Sequence, residues 1–488
     1  MSVRLSSATL PAVAATASVP SYDRANLAAG ILHFGIGNFH RAHQAVYLDD
    51  LFNLGEGHDF AIVGAGMLPF ESAMRDKLGA QDYLTTVVEQ DNDRSAARVT
   101  AAMIDYLPIG DGAAIVAKLV DPAIRIVSMT ITEGGYFVDA SGHFDPTHQA
   151  IVADGQNPEN PKTVFGLIAA GLKARRDAGV APFTVMSCDN IPHNGVVAKD
   201  AVAGTAALSD PALADWIRAN VAFPNSMVDR ITPATSPREI ENLKAEFGVE
   251  DNWPVYCEEF KQWVMEDNFP AGRPALEKVG VTFVDNVAPW ELMKIRILNG
   301  GHAAIAYPGI LLDIQFVHEA MQHPLIAAFL EKLTKDEIIP VVPPVPGTEL
   351  EDYRKLIEHR FLNPKIADTV ARLALDGSNR QPKFIVPTIR DRLDAGAGID
   401  GLALVSALWC RALGGPSEGG KDMPLVDPNL DRIRAAAVAA KTDPDAFLAL
   451  KDVYGDLSAN PVFRERFAFM LRSLWDKGVV ATLTAYLR

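Results

Sequence analysis

Four side chains with acid–base or hydrogen-bonding chemistry lie close together in residues 291–302: Glu291, Lys294, Asn299 and His302. On an α-helix, at about 100° per residue, all four share one face within an arc of roughly 140°. A lysine can act as a base if its pKa is lowered, and an amide or an imidazole can polarise an oxygen. The segment therefore predicts acid–base chemistry on a hydroxyl or carbonyl group.

The alternative for this segment is a solvated polar face that ends at Gly300-Gly301. The flanking residues count against it, because Ile295, Ile297 and the run 303–306 are apolar and predict a largely buried helix. A buried lysine is costly unless it is paired or neutral, and such lysines tend to mark functional sites. We therefore favour the functional interpretation.

A glycine-containing turn near the N-terminus has the context of a dinucleotide-binding site. Gly35 and Gly37 follow a predicted strand, and Asn38 and Phe39 open a predicted helix. Such glycines allow a tight turn and a close backbone approach to a pyrophosphate at a helix N-terminus. His40 replaces the usual third glycine, so an ordinary strand–helix turn is the alternative.

The end of the second predicted strand bears on the choice of cofactor. An acid there favours NAD, and a basic residue favours NADP. The run Gly64–Pro69, which contains Met67, carries no charge; Glu71 is the first acid and Arg75 the first basic residue. The missing positive charge favours NAD and leaves NADP open.

Three further polar residues are candidates on the substrate side, each with a structural alternative. Asn190 follows a predicted buried strand and could donate to an oxyanion, or it could satisfy its own turn. Asp229 could orient a hydroxyl, or it could pair with Arg230 in a loop. Arg372 lies in a basic stretch of the second half, where a charged surface is the alternative.

Bulk composition excludes several protein classes. A chain of 488 residues is too long for one hydrophobic core and predicts two domains. The net charge of −16 disfavours nucleic acid or an anionic membrane as a partner. Three widely spaced cysteines predict no disulfide framework and a reducing cytoplasm. The sequence predicts no zinc-binding motif, export signal or transmembrane segment. No apolar stripe requires a partner, so we expect a monomer.

Apolar periodicity changes between the halves. Alternating strands and helices predict a parallel, doubly wound α/β sheet in residues 1–285, and helical periodicity dominates residues 286–488. The predicted strands are 30–35, 60–64, 84–88, 124–132 and 183–188, and the predicted helices are 41–54, 71–79, 324–339, 363–375, 402–413, 429–441 and 461–487. Residues 383–387 favour a strand, and the proline-rich run 339–347 favours a connector.

Ordered motifs along nearly the whole chain resemble those of the mannitol dehydrogenase family, the polyol-specific long-chain dehydrogenases and reductases. They are Pro20–Arg24, Gly35–His43, Thr132–Tyr136, Cys188–Asn190, Phe223–Asp229, Gln262–Asn268, Lys294–His302 and Asp376–Pro382. The resemblance implies a Rossmann-type N-terminal domain, a mostly α-helical C-terminal domain, and metal-independent oxidation of a secondary alcohol by NAD or NADP.

The resemblance also implies roles for individual residues. Lys294 would be the general base, and Asn190 and Asn299 would form the oxyanion hole. The substrate hydroxyls would be held by His302, Asp229 and Arg372, with Glu291 close to the lysine. The cofactor would be bound by Gly35, Gly37, Asn38, Phe39, Met67 and Glu133.

The substrate is less well determined than the chemistry. The run 225–233 favours the mannitol branch, which interconverts mannitol and fructose. A reductase of fructuronate or tagaturonate is the alternative, because Arg372, Arg380 or Lys383 could bind a carboxylate. A dinucleotide-binding sensor without turnover is a third possibility that the intact lysine, amide and imidazole set argues against.

Overall fold

The computed structural model describes residues 2–139 and 142–488, which form two compact units, Met1–Ala288 and Pro289–Arg488. The strands, all in the first unit, are β1 (Val3–Arg4), β2 (Ala29–Phe34), β3 (Ala61–Ala65), β4 (Thr85–Gln90), β5 (Ser95–Thr100), β6 (Met103–Tyr106), β7 (Ile126–Met129), β8 (Thr184–Ser187), β9 (Ser226–Asp229), β10 (Val249–Glu250), β11 (Val255–Glu258), β12 (Gln262–Glu266) and β13 (Thr282–Val284). The helices of this unit are α1 (Leu10–Val13), α2 (Asn38–Ala42), α3 (Gln44–Asn53), α4 (Glu71–Gly79), α5 (Gly112–Val120), α6 (Gln149–Gln156), α7 (Val164–Ala178), α8 (Asn194–Ala207), α9 (Pro211–Asn220) and α10 (Pro237–Phe247).

A five-stranded parallel sheet organises the first unit, in the order β6-β3-β2-β7-β8. From β2 the chain builds outwards through β3 to β6, then returns and builds the other side with β7 and β8. The direction of winding therefore switches between β2 and β7, and ligands of such sheets bind at the carboxyl ends beside the switch. The predicted α/β class is confirmed.

Apolar strand residues supply the core on both faces of this sheet. Leu32 and Phe34 of β2 pack in one cluster with β7 and helices α5, α7 and α8, and Ile31 packs on the other side with α3. Because neighbouring strand residues point to opposite faces, a strand covered on both sides is mostly apolar. Because these strands are buried in the core, the strand ends that carry the candidate residues are held in place.

One predicted strand belongs elsewhere. The predicted strand at 84–88 corresponds to β4, which lies in a separate sheet of order β11-β4-β5 and pairs antiparallel with β5. Sequence periodicity identifies a strand but not its partner, so the prediction placed it in the main sheet incorrectly. A third sheet, β13-β12-β9, contains Asp229 at the end of β9.

The second unit is helical, as predicted. Its α-helices are α11 (Ala288–Met293), α12 (Gly300–Leu311), α13 (Val317–Gln322), α14 (Pro324–Leu333), α15 (Leu350–Phe361), α16 (Val370–Leu373), α17 (Gly377–Phe384), α18 (Val386–Asp394), α19 (Asp400–Gly414), α20 (Leu430–Ala439), α21 (Asp445–Leu448), α22 (Lys451–Tyr454) and α23 (Pro461–Leu487). Every residue of α19 from Gly401 to Leu413 is buried, so this helix is the centre of the unit. Asn460 caps α23 by accepting N–H bonds from Val462 and Phe463.

Two predicted helices and one predicted strand of the chain were wrong in detail. The predicted helix 363–375 is helical only over α16, where Thr369 caps the first turn by accepting from Arg372 N. Residues 383–387, which favoured a strand, are the end of α17 and the start of α18. The predicted helix 41–54 is interrupted at His43, whose backbone is non-helical.

Among the residues that the structure describes, no helix combines the length and the apolar character that a membrane span needs.

Candidate active site

The ends of four neighbouring parallel strands carry most of the residues predicted for the first unit. The turn with Gly35 and Gly37 follows β2, Met67 follows β3, Glu133 follows β7, and Asn190 follows β8. Because the strand order is β3-β2-β7-β8, these segments lie side by side at the carboxyl edge of the sheet. This is the position at which a doubly wound sheet binds its ligand.

The two glycines of the first turn, Gly35 and Gly37, lie in different structural environments. Gly35 has a φ of +89°, and a Cβ there would lie 2.2 Å from the carbonyl oxygen of Thr130, so no other residue fits. Gly37 is exposed, precedes the first turn of α2, and a Cβ there would meet nothing closer than 4.0 Å. The surface at Gly37 is therefore open to a ligand, as a pyrophosphate requires.

The half-buried side chains of Asn38 and Phe39 contact other residues of the protein. The amide of Asn38 donates to Pro233 O at 3.0 Å and Thr235 Oγ1 at 2.9 Å, and its oxygen accepts from Arg41. Phe39 stacks on His43 with a centroid separation of 4.8 Å. A contact of these two residues with a cofactor would therefore come from the Asn38 backbone or the Phe39 ring edge.

The histidine in the third glycine position has a packing role. His40 stacks on His33 of β2 at a centroid distance of 3.5 Å, and both rings are buried. His33 bonds Ser128 Oγ at 2.7 Å and Thr130 Oγ1 at 3.0 Å, which ties β2 to β7. Burial lowers the pKa of His33 to about 3 and holds that of His40 well below its usual value. The pair is neutral at physiological pH.

Glu71 is a functional candidate that the sequence did not reveal. The carboxylate folds back over the end of β3, accepts Leu68 N at 2.8 Å, and would lie 2.7 Å from a Cβ at Gly66. The segment that directly follows β3 has no charged residue in its sequence, but the Glu71 carboxylate lies against it. A negative charge at this strand end favours NAD over NADP.

Asp189, which precedes Asn190, connects two strand ends. Its carboxylate accepts Ile131 N at 3.0 Å, Thr132 N at 2.8 Å and Tyr136 Oη at 2.7 Å. Thr132 has a φ of +64°, a conformation that a non-glycine residue adopts only when its surroundings hold it. Burial raises the pKa of Asp189 to about 6. The carboxylate thus positions both the exposed Asn190 and the loop that begins with Glu133.

A buried amide extends this network to the third sheet. Asn194 donates to Asp189 O at 3.0 Å and to Ser226 O at 2.8 Å, and its oxygen accepts Ser226 N at 2.9 Å. Asp229, at the other end of the same strand, is buried. The guanidinium of the neighbouring Arg230 pairs with Glu89 at 2.7 Å.

Lys294 and Asn299 begin and end a π-helical turn that joins α11 to α12. The helix was predicted, but its assumed α-helical spacing was wrong in this turn. A π turn has i→i+5 hydrogen bonds, and Gly300 N donates to Ile295 O accordingly. Positions five apart, which lie about 140° apart on an α-helix, are separated by a smaller angle around the axis of a π turn. Single π turns inside α-helices are frequent at functional sites.

Burial and packing distinguish the members of this polar set. Glu291 and Lys294 are each 6% exposed. Asn299 is half-buried, and its Oδ1 is buried with no hydrogen-bond partner among the described residues. His302 stacks on Phe361 at a centroid distance of 4.8 Å. The solvated polar face, the alternative for this segment, is therefore excluded for the buried Glu291 and Lys294.

Arg372 lies on another short helix, α16. Its guanidinium makes two donor contacts with the carboxylate of Asp368, and its side chain is 49% exposed. Helix α16 touches α12 where Val370 approaches Gly309. Asp368 thus fixes the direction of Arg372 and offsets part of its positive charge.

Within residues 2–139 and 142–488 there is no group of three or more His, Cys, Asp or Glu side chains that could hold a metal ion. The candidate residues carry an amine, two primary amides, an imidazole and carboxylates. All three cysteines are buried free thiols.

Comparison with known proteins identifies the family. Residues 29–278 match the mannitol dehydrogenase Rossmann domain, and residues 286–475 match the mannitol dehydrogenase C-terminal domain. The chain belongs to the mannitol dehydrogenase family. Family membership confirms the predicted resemblance and the predicted enzyme class, an oxidoreductase that acts on CH–OH groups.

Relatives of the family cover nearly the whole chain. A protein of Cereibacter sphaeroides named mannitol 2-dehydrogenase is 60% identical over 469 residues, 96% of this chain and 98% of the relative. The structure of Pseudomonas fluorescens mannitol 2-dehydrogenase in a ternary complex with NAD and D-mannitol matches with a TM-score of 0.89 and 43% identity over 99% of both chains. A substrate-free D-sorbitol dehydrogenase matches with a TM-score of 0.91 and 38% identity over 98% of this chain and 100% of the other.

Proposed function

We propose that the protein is an NAD-dependent polyol 2-dehydrogenase that oxidises D-mannitol to D-fructose and catalyses the reverse reduction. The π turn supports the proposal most directly, because it carries a buried lysine at its start and a half-buried amide at its end. The 60% identity to a mannitol 2-dehydrogenase over most of the chain supports the substrate. Residues 1–285 would bind the dinucleotide, and residues 286–488 would supply the base.

The proposed proton transfer uses Lys294 as general base. Its neutral amine accepts the proton of the substrate hydroxyl as the carbon–oxygen bond gains double-bond character. Burial disfavours a charged amine, which suits this role. The amides of Asn190 and Asn299 would each stabilise negative charge on a substrate oxygen by donating a hydrogen bond, a contribution worth about 10²–10³-fold in rate for one donor.

The remaining polar residues would hold the substrate and pass the proton onwards. His302, Asp229 and Arg372 would bind further hydroxyl groups of the polyol. Glu291, buried one turn before Lys294, would carry the proton from the lysine towards solvent. The side chains of Phe361 and Asp368 would fix His302 and Arg372 in the orientations that recognition requires.

The strand ends of the first unit fit a dinucleotide. Gly35 and Gly37 would lie against its pyrophosphate, Met67 and Glu71 would lie near its adenosine ribose, and Asn38, Phe39 and Glu133 would contribute backbone or edge contacts. The fit rests on the open surface at Gly37 and on the close approach that only glycine allows at position 35. When bound, NAD would supply the hydride acceptor of the reaction.

A substrate panel tests the proposal and its alternatives. We expect kcat/KM for mannitol with NAD to exceed the values for sorbitol and arabinitol, and kcat/KM for fructose reduction to exceed that for fructuronate. A large preference for fructuronate would favour a uronate reductase, for which Arg372 would bind the carboxylate. A preference for sorbitol would move the protein to a neighbouring polyol specificity. No turnover with any polyol or ketose would reject the function.

Three finer properties accompany the proposal: metal independence, a monomeric state and a cytoplasmic location. We propose that the reaction needs no metal ion, because a lysine and two amides provide the base and the oxyanion donors; dialysis against EDTA should leave kcat unchanged. We also propose a monomer that works in the cytoplasm, which agrees with three buried free thiols. Light scattering of the purified protein at working concentration measures the mass directly.

A further inference from the structure

The π turn requires an explanation, because this geometry is rare and persists only where the surroundings favour it. Lys294, at its start, and Asn299, at its end, are five residues apart. Relaxation of the turn to a regular α-helix would rotate the two side chains to about 140° from each other. The relative direction of the proposed base and the proposed oxyanion donor therefore depends on whatever holds the turn open.

Arg296, in the middle of the turn, makes the contacts that could hold it. Its side chain is 9% exposed. Nη1 donates to Val341 O at 2.6 Å, and Nη2 donates to Asp391 Oδ2 at 2.5 Å. Val341 ends the 3₁₀ turn Ile339–Val341, and Asp391 lies on α18. One guanidinium thus connects the π turn to two separate segments of the second unit.

The chemistry of arginine suits this role. Its guanidinium is planar and presents several donors in fixed directions, so two simultaneous bonds also fix the orientation of the backbone that carries it. A lysine would keep the charge and lose the second directed bond. Removal of the cation would leave the Val341 carbonyl and the Asp391 carboxylate without this donor.

We propose that Arg296 is a positioning residue that clamps the Lys294–Asn299 π turn to Val341 and Asp391 and thereby fixes the relative direction of the base and the oxyanion donor. Arg296 does not contact the reacting atoms and acts through the backbone of the turn. The proposal rests on the proposed function of Lys294 and Asn299. The residue type and sequence position of Arg296 alone would not predict this positioning role.

Three variants test the clamp: Arg296→Met removes both bonds, Arg296→Lys retains one directed contact, and Asp391→Asn weakens only one bond. We expect kcat for mannitol oxidation to fall by about 10²-fold, about 10-fold and a few-fold, respectively, because misplacement by about 1 Å can cost 10²-fold. The dissociation constant of NADH, measured by fluorescence titration, should stay within about twofold of wild type. The primary deuterium isotope effect on kcat should rise in Arg296→Met as the chemical step becomes slower.

A control separates positioning from general stability. Arg466 pairs with Asp400 at 2.6 Å in the same unit, so Arg466→Met removes a comparable ion pair away from the π turn. Its kcat should stay within twofold of wild type at a matched loss in Tm. A kcat for Arg296→Met within threefold of wild type, or equal losses in kcat for Arg296→Met and Arg466→Met, would overturn the clamp.

The remaining outcomes are also decisive. If Arg296→Met does not fold, a wild-type kcat in both Arg296→Lys and Asp391→Asn overturns the proposal, and graded losses support it. Failure of the proposed function has a different signature, which is near-normal turnover in Lys294→Ala. In that case the π turn holds no base for Arg296 to position.

Discussion

The phenol of Tyr136 donates to the carboxylate of Asp189 at 2.7 Å, and this bond joins the loop after β7 to the end of β8. The same carboxylate accepts two backbone N–H groups, including that of Thr132 in its strained conformation. Asn190, the proposed oxyanion donor, is the next residue in the chain. A buried carboxylate therefore holds the chain directly before that amide.

Replacement of Asp189 by Asn should lower kcat/KM for mannitol by about 10–100-fold, because an amide of the same shape cannot accept all of these bonds. Steady-state kinetics with NAD measures the effect. Asp154→Asn is the matched control, since Asp154 is also a buried carboxylate that accepts two backbone N–H bonds, from Lys162 and Thr163. Equal losses in the two variants would show that Asp189 supports only folding.

The buried histidines should make the protein lose stability in acid. Burial lowers the pKa of His33 and of His43 to about 3, below the usual value of 6.5. The unfolded chain therefore binds protons that the folded chain does not as the pH falls from 6.5 towards 3. Each histidine should remove about 2 kcal/mol from the free energy of unfolding between pH 7 and pH 5.

Urea unfolding at several pH values measures this loss in wild type and in His33→Gln. The slope of stability against pH should be smaller in the variant, whatever its stability at pH 7. Asp189, with a pKa raised to about 6, acts in the opposite direction between pH 6 and 4, but it is common to both proteins. Identical slopes would show that His33 does not contribute.

Glu71 should favour NAD over NADP, because its carboxylate at the end of β3 repels a 2′-phosphate. We expect kcat/KM with NAD to exceed that with NADP, and Glu71→Gln to reduce the ratio by about 5–10-fold. Asp76→Asn, on the exposed side of the same helix, removes an equal charge and should leave the ratio unchanged. Equal ratios in wild type and Glu71→Gln would remove Glu71 from cofactor selection.

Much of this architecture follows from local sequence. Helix α4 has the predicted bounds, and α23 begins at the predicted Pro461 and ends at the predicted Leu487, because apolar spacing and terminal residues specify them locally. The predicted continuous helix 461–487 is interrupted at Gly478, whose backbone is non-helical. The parallel sheet follows from the alternation of strands and helices. The partner of β4 could not be predicted, because strand pairing depends on residues far along the chain.

The candidate site was predictable to the level of residue types. The motifs identified Lys294, Asn299, Asn190 and the glycine turn. The π turn was not predictable, because it depends on Arg296 meeting Val341 and Asp391, which are distant in sequence. The position of Glu71 likewise depends on a turn that brings it back over Gly66.

The rate of mannitol oxidation by Lys294→Ala with NAD tests the proposed role of Lys294 most directly. We expect kcat to fall by at least about 10³-fold, because a positioned base contributes about 10²–10⁴-fold and Lys294 also starts the π turn. NADH should bind within about threefold of wild type, and Lys355→Ala, which removes an exposed lysine, should keep full activity. A kcat for Lys294→Ala within tenfold of wild type would contradict the assignment of Lys294 as the base.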